Sequence, residues 1–523
     1  MNDATGPAAG RGDEAVVIGR AGLTIEQVVR VARQRAPVSV GGDARESLER
    51  SHRVALDLVG GERAVYGLST GFGALADRYI EPGRRQDLQT GLVRSHAATV
   101  GDEVEPEIVR AMMVLRTATL AKGFSGVRPL LVEAIVGLLN HRITPVVREH
   151  GSLGCSGDLA PLAHAALALI GEGDVDVEGV GRMGAGEALR LAGLEPSALQ
   201  AKEGLALTNG TDGMLGILCL ACEDLRMLLR TADVAAAMSV EALLGTDQAF
   251  MPELAALRPH PGQAASAANI FTVLSGSAIV ESHKQGDSRV QDAYSLRCAP
   301  QVLGACRDTL DHAEQVLRRE LASAIDNPVV LPDGRVASCG NFHGAPLAYV
   351  ADFLAVVVAD AASISERRID RHLDPARSHG LPPFLAADPG VDSGLMLAQY
   401  SAAALVADCR RLAVPASTDN VPTSAMQEDH VSMGWAAALK LRRSVVNLAR
   451  VTGIEVMTAA RAIEMRSPLR PAPATATVVQ GLRRRVPGLG PDRYMAPEID
   501  AATEAVRSGE VLGWAEAVTG PLR

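Results

Sequence analysis

The chain predicts a mainly α-helical, all-α fold: a long central helix bundle joined to a smaller N-terminal domain with a few short strands. Three observations carry this reading. Apolar residues recur at helical spacing over very long runs, above all 213–243, 346–371 and 432–465. Strand-like alternation is short and rare, and no βαβ repeat is visible. The 523 residues, 47% of them hydrophobic, with mean hydropathy +0.11, are enough for a large core. The expected organisation is a loose polar tail over 1–14, an N-terminal domain over 15–210, and a helix-bundle and C-terminal helical region over 211–523.

The first helix opens at Thr24, with Gln27 three residues on, which is a capping-box pattern. Further helical runs are expected at 104–121, 129–139, 160–170, 213–243, 302–324, 346–371, 393–413, 432–465 and 473–485. Strands are expected at 15–18, 174–178 and 328–331, each beside turn residues. Gly179 to Gly184 matches G-x-G-x-x-G, but it follows the acidic alternation 174–178 instead of a buried apolar strand. It therefore reads as a surface hairpin and not a nucleotide loop.

Net charge −10 and an isoelectric point near 5.7 argue against a nucleic-acid partner. The one tight basic run, Arg483-Arg484-Arg485, reads as a solvated helix end. The first 14 residues hold no apolar signal core, which points to a cytoplasmic protein. The apolar stretch 346–364 carries Asp352 and Asp360, so it reads as a core helix and no membrane partner is expected. Seven cysteines, an odd number without framework spacing, suit a reducing compartment. Cys219 and Cys222 sit inside an apolar helical run and read as buried thiols. There is no P-loop, H-E-x-x-H helix or Cys/His cluster, so no metal is expected.

The loop Gly151-Ser152-Leu153-Gly154-Cys155-Ser156-Gly157-Asp158 supports two readings. In one it is a Gly/Ser turn before a helix, with Asp158 as helix-start acid and Pro161 in the first turn. In the other, the turn presses the amide nitrogen of Gly157 against the carbonyl carbon of Cys155. Cyclisation with loss of water, and dehydration of Ser156, would give an imidazolone with an exposed methylidene, an electrophile made from the chain itself. Glycine suits the third position because it tolerates the strained dihedrals and has no Cβ to block attack. The Cys155 side chain is a spectator in that chemistry. The loop alone leaves both readings open.

Other polar groups gather in unusual places. Tyr66 begins a Gly-rich loop, where it is either a base whose pKa must be lowered or a tyrosine packed under a mobile segment. Gln291, Tyr294 and Arg297 cluster within seven positions, and Arg297 is either a carboxylate clamp or a surface arginine. Residues 424–433 are an acidic cluster with His430, which either serves a site or caps the long helix that follows. Asn209 and Asn327 sit in turn-type sequences.

Together these blocks resemble the aromatic amino acid ammonia-lyases that use a methylidene-imidazolone prosthetic group. The likeness runs from about Leu23 to the C-terminus, through Y-G-x-x-T-G-F-G, G-S-x-G-x-S-G-D-L-A-P-L, N-G-T, Q-D-x-Y-S-x-R-C-x-P-Q, D-N-P, G-N-F-H and Q-E-D-H-V-S-M in that order. The resemblance implies that Ser156, with Cys155 and Gly157, forms 4-methylidene-imidazol-5-one autocatalytically, with no external cofactor. It implies Tyr66 as the base at the β-carbon, and Asn209 and Tyr294 around the electrophile. Arg297 and Asn327, helped by Gln291, would bind the substrate carboxylate, Phe342 would line the site, and His96 and Glu428 would face the substrate ring. The methylidene would engage either the amine or the ring of the substrate. Two positions depart from the common pattern: Cys155 stands where most of the family has Ala, and Ser69 replaces a common Asn.

Ser95-His96 occupies the family's selectivity position and suits an imidazole or a phenol. Glu428 discriminates further, since a carboxylate accepts from an imidazole N–H but would be left unpaired against an apolar ring. The small-molecule substrate expected is thus L-histidine, with urocanate and ammonia as products in histidine degradation. A tyrosine or phenylalanine lyase or aminomutase is the alternative. The resemblance also implies a homotetramer whose active sites are shared between subunits.

Overall fold

The computed structural model describes residues 14–59, 66–67, 69–200, 202–287 and 289–523. The tail expected over 1–14 lies outside them except for Glu14. The described residues are mainly helical with nine short strands, as the apolar periodicity predicts. The chain divides into two compact units. One comprises Met1–Leu220, Gln315–Ala351 and Pro415–Leu439, the other Ala221–Glu314, Asp352–Val414 and Lys440–Arg523.

In the first unit, Val16–Ile18 pairs in parallel with Val38–Val40. Between them runs the helix Ile25–Arg33, whose Thr24 and Gln27 form the reciprocal capping box. Asp174–Val177 and Gly181–Gly184 form the expected hairpin, and Ile143–Pro145 adds to it as a third antiparallel strand. The strand expected over 328–331 is only the two-residue Val329–Val330, paired with Val336–Ala337. The helix Pro106–Ala121 is buried over nearly its whole length, which brings two arginines into the core. Arg116 is held there by Asp212 Oδ2 (2.8 Å) and by the carbonyls of Asn209 (3.3 Å) and Ile325 (3.2 Å). A desolvated guanidinium needs such acceptors, and these fix the turn 209–212. Gly210 leaves room for this pair at the turn, since a Cβ there would displace Arg116 Nη1 and Asp212 Oδ2.

The second unit is built on long helices. Asp212–Ala242 and Gly434–Glu464 each have 31 residues, about 46 Å at the α-helical rise. Ala299–Ala322 and Ala345–Leu373 are nearly as long. The division between the units falls within these four helices. Ala235, Ala236, Ala237, Ala459, Ala460 and Ala462 are fully buried, and small side chains of this kind allow close helix packing. Cys219 and Cys222 are buried and form no disulfide, as expected.

One polar network is sealed within the second unit. Glu455 accepts from Arg368 Nε (2.5 Å) and Nη2 (2.8 Å), from Ser239 Oγ (2.7 Å) and from Ser365 Oγ (2.5 Å). His372 meets Ser239 Oγ at 3.1 Å. Among the described residues, two apolar helical stretches are long and apolar enough to cross a membrane, 203–242 (the helices Glu203–Thr208 and Asp212–Ala242 with the turn between them) and Ala345–Leu373, but their apolar windows are 100% and 61% buried inside the protein. They are core helices.

Candidate active site

The loop 151–158 is docked from several sides by backbone polar groups. Met433 N–H donates to the Leu153 carbonyl (2.8 Å), Asp158 N–H to the Gly210 carbonyl (2.7 Å), and Gly344 N–H to the Gly154 carbonyl (3.2 Å). Ser432 Oγ adds a bond to the same Gly154 carbonyl at 2.8 Å. Gly157 has φ +74°, and a Cβ on it would collide with the backbone of Gly210. The third position of the tripeptide therefore admits only glycine, for both conformational and steric reasons.

Asp158 corrects a sequence expectation. It stands at the start of the helix Leu159–Leu169 but makes no side-chain cap to it. Its carboxyl group, fully buried, accepts instead from Ser152 Oγ (2.8 Å) and from the N–H of Met214 (2.8 Å), in the first turn of Asp212–Ala242. The acid caps a different helix and ties it to the loop. Burial raises its pKa to about 7, against the opposing effect of those two bonds.

Ser156 Oγ donates to Asn209 Oδ1 at 2.9 Å. The amide of Asn209 is oriented from its other end, where Nδ2 donates to the Asn327 carbonyl (3.0 Å) and reaches Asp326 Oδ1 at 3.5 Å. Asp326 is paired with Lys202, and both side chains are buried. Asn327 uses its own Oδ1 to accept from Cys339 N–H at 2.9 Å. None of this is the simple turn chemistry that the two Asn residues suggest by themselves.

Beside Ser156 lies a cavity of about 440 Å³, lined among others by Tyr66, Phe72, Ser95, His96, Leu205 and Glu428. The Gly73 N–H donates to Tyr66 Oη at 3.1 Å. Burial raises the Tyr66 pKa; the Gly73 bond lowers it in part, and the charge of Glu428 raises it further. The lowered pKa that a base requires is therefore not supplied by these groups. Burial pushes His96 below the usual imidazole range, so it is neutral near pH 7, and its Nδ1 meets Ser95 Oγ at 3.1 Å.

Glu428 enters the cavity from a tight loop. Its backbone bridges antiparallel to Thr423, and Ser424, Ala425 and Met426 between them all have φ between +48° and +71°. Three left-handed non-glycine residues in a row are costly and persist only where the surroundings enforce them. The acidic cluster does not cap the helix Gly434–Glu464; Ser432 Oγ accepts from Gly434 N–H there instead.

Phe342 is half-buried and is not among the residues lining this cavity. Gln291, Tyr294 and Arg297 belong to the second unit. Gln291 is exposed, Tyr294 is 71% exposed, and the Arg297 guanidinium stacks on the Tyr294 ring at 4.8 Å with its buried Nε unbonded. Sequence reading missed several residues that hold the site. Gln89 bridges the Gly67 carbonyl (3.0 Å) and the Leu205 N–H (3.2 Å) from a fully buried position. Lys202 and Thr423 carry no local mark in the sequence, and Asp326 is marked only as part of the D-N-P motif, with no role of its own.

A helical fold with a glycine-confined Cys-Ser-Gly loop beside a tyrosine-lined cavity matches one known class. The chain belongs to the aromatic amino acid lyase family, whose model matches residues 23–484. It is an ammonia-lyase, a carbon–nitrogen lyase. Among individual proteins, it is 58% identical over 509 residues to a histidine ammonia-lyase of Streptomyces coelicolor, covering 97% of this chain and 99% of that one. A solved tyrosine aminomutase from Streptomyces globisporus superposes with TM-score 0.92 at 38% identity, covering 98% and 100%. Histidine ammonia-lyase from Trypanosoma cruzi does so with TM-score 0.88 at 37% identity, covering 96% and 95%. The fold is thus shared across substrates, while sequence identity is higher to the first protein.

Proposed function

We propose that the chain eliminates ammonia from L-histidine to give urocanate, as a cytoplasmic homotetramer. The observation that carries the substrate is a carboxylate, Glu428, in the same cavity as His96, Tyr66 and Ser156. A polar pocket of this kind rewards an imidazole N–H and penalises a phenyl ring. Cys155, Ser156 and Gly157 would hold the methylidene-imidazolone. The Gly157 cradle and the Ser156–Asn209 bond fit its formation. When present, the group supplies an electrophile that eases loss of ammonia.

The chain's own residues do the rest. Tyr66 takes the β-proton, and the α-ammonium of the substrate supplies the positive charge that its surroundings lack. Asn209 keeps its amide toward residue 156. The first N–H groups of Leu159–Leu169 follow directly in the chain and favour negative charge beside the ring. Arg297 and Asn327, with Gln291, bind the substrate carboxylate; Tyr294 completes the surround and Phe342 adds an apolar wall. The exposure of Tyr294 and the unbonded Nε of Arg297 suit residues that complete a site in another copy of the chain. In the second unit, exposed Phe353, Val356, Leu397 and Tyr400 suit burial by such copies.

Incubating the purified protein separately with histidine, tyrosine and phenylalanine tests the substrate. Urocanate absorbance from histidine is expected, and turnover of tyrosine or phenylalanine without urocanate would refute the assignment. Ser156→Ala is expected to abolish turnover, keep the helical circular dichroism, and remove the loss of two waters from the intact mass.

A further inference from the structure

We infer that Cys155 is a positioning residue for substrate recognition: its thiol, together with the Thr423 hydroxyl, fixes the carboxylate of Glu428. The inference rests on the histidine reading above and assigns a role to the side chain of a residue whose backbone alone is needed for the ring. Cys155 Sγ donates to Glu428 Oε2 at 3.1 Å. Thr423 Oγ1 donates to the same oxygen at 2.9 Å. With two donors on one oxygen, the carboxylate cannot rotate without losing both bonds, and Oε1 is left to meet a ligand. The backbone of Glu428 is fixed as well, by the bonds Thr423 N–H to Glu428 O (2.9 Å) and Glu428 N–H to Thr423 O (3.3 Å).

Cys155 is 9% exposed. Burial first, and then the bond to Glu428, push its thiol up to about 12, so it stays a donor throughout the neutral range. The consequence is geometric. One residue contributes its carbonyl carbon to the ring and its side chain to the group that reads the substrate ring, so the distance between electrophile and recognition group is set within a single residue. An alanine at 155 would still close the ring but would leave Glu428 held by Thr423 alone.

The test uses the full-length protein with Cys155→Ala, Cys155→Ser and Thr423→Val, and calorimetric binding of urocanate and of cinnamate. Without added ammonia neither probe turns over. Cys155→Ala is expected to weaken urocanate about fivefold, the factor that one hydrogen bond contributes, and to leave cinnamate unchanged. Cys155→Ser, which keeps a donor, restores most of the loss, and Thr423→Val reproduces it without touching the ring-forming loop. The KM for histidine rises with the urocanate Kd while kcat falls less, and intact mass gives the same two-water loss in every variant. Unchanged urocanate binding in Cys155→Ala overturns the inference. So does equal weakening of urocanate and cinnamate, which marks general damage to the cavity. If the unsubstituted protein prefers cinnamate and makes no urocanate, the substrate reading falls, and this inference with it.

Discussion

Gly157 shows how much one missing Cβ decides. Its φ of +74° and its contact with the Gly210 backbone mean that Gly157→Ala meets a strained dihedral and a steric collision together. The variant is expected to lose ring formation, read as an intact mass without the two-water loss, and to be destabilised by about 2 kcal/mol or more in urea denaturation. A normal mass would show that the loop accommodates a Cβ by moving. Tyr66 decides something different. Burial and the charge of Glu428 hold its proton on, so the role as base proposed above rests on the positive charge that a bound substrate brings.

Among the elements, the six-residue helix Glu203–Thr208 is buried on every side and stands between Lys202, at its N-cap, and Asn209, at its C-cap. The buried Lys202–Asp326 pair anchors both of its ends. Asp326→Asn leaves the ammonium buried without its counter-charge and should cost about 3–5 kcal/mol. Adding Lys202→Met removes both charges, and recovery of part of that loss in chemical denaturation is the expected result. These residues also show where sequence reading stops. The long helices are legible because an apolar stripe repeats over many turns; 213–243 was expected and Asp212–Ala242 is found. Glu203–Thr208 is buried all round and too short to show a period, and Arg85–His96 is mostly polar and buries Gln89, so both depend on tertiary contacts. In the site, Ser156, Tyr66 and Glu428 sit in recognisable motifs. Lys202 and Gln89 do not, because their partners lie 124 and 116 residues away.

For the whole molecule, two buried groups set opposing pH dependences. Burial lowers the His372 pKa from 6.5 to about 3, so between these values the unfolded chain binds a proton that the native state does not, and stability rises with pH. Asp158 is raised from 3.8 to about 7, so the native state holds the extra proton over its window and stability falls as pH rises. Where the windows overlap, each slope is about 1.4 kcal/mol per pH unit and the two cancel. Urea denaturation between pH 4 and 6.5 should therefore show His372→Gln tilted toward lower stability with rising pH, and Asp158→Asn tilted the opposite way. Parallel profiles for both variants would contradict this. The depth at which the thiols lie bears on the enzyme's own survival. A protein that makes an electrophile inside itself is exposed to attack by its own nucleophiles, above all by a thiol one residue away. Burial pushes Cys155 and Cys306 up to about 12 and Cys409 to about 11, and raises Cys222 as well. Thiolate is the reactive form, so these four sulfurs stay protonated at neutral pH, and the burial that holds them there would shield the proposed electrophile from them.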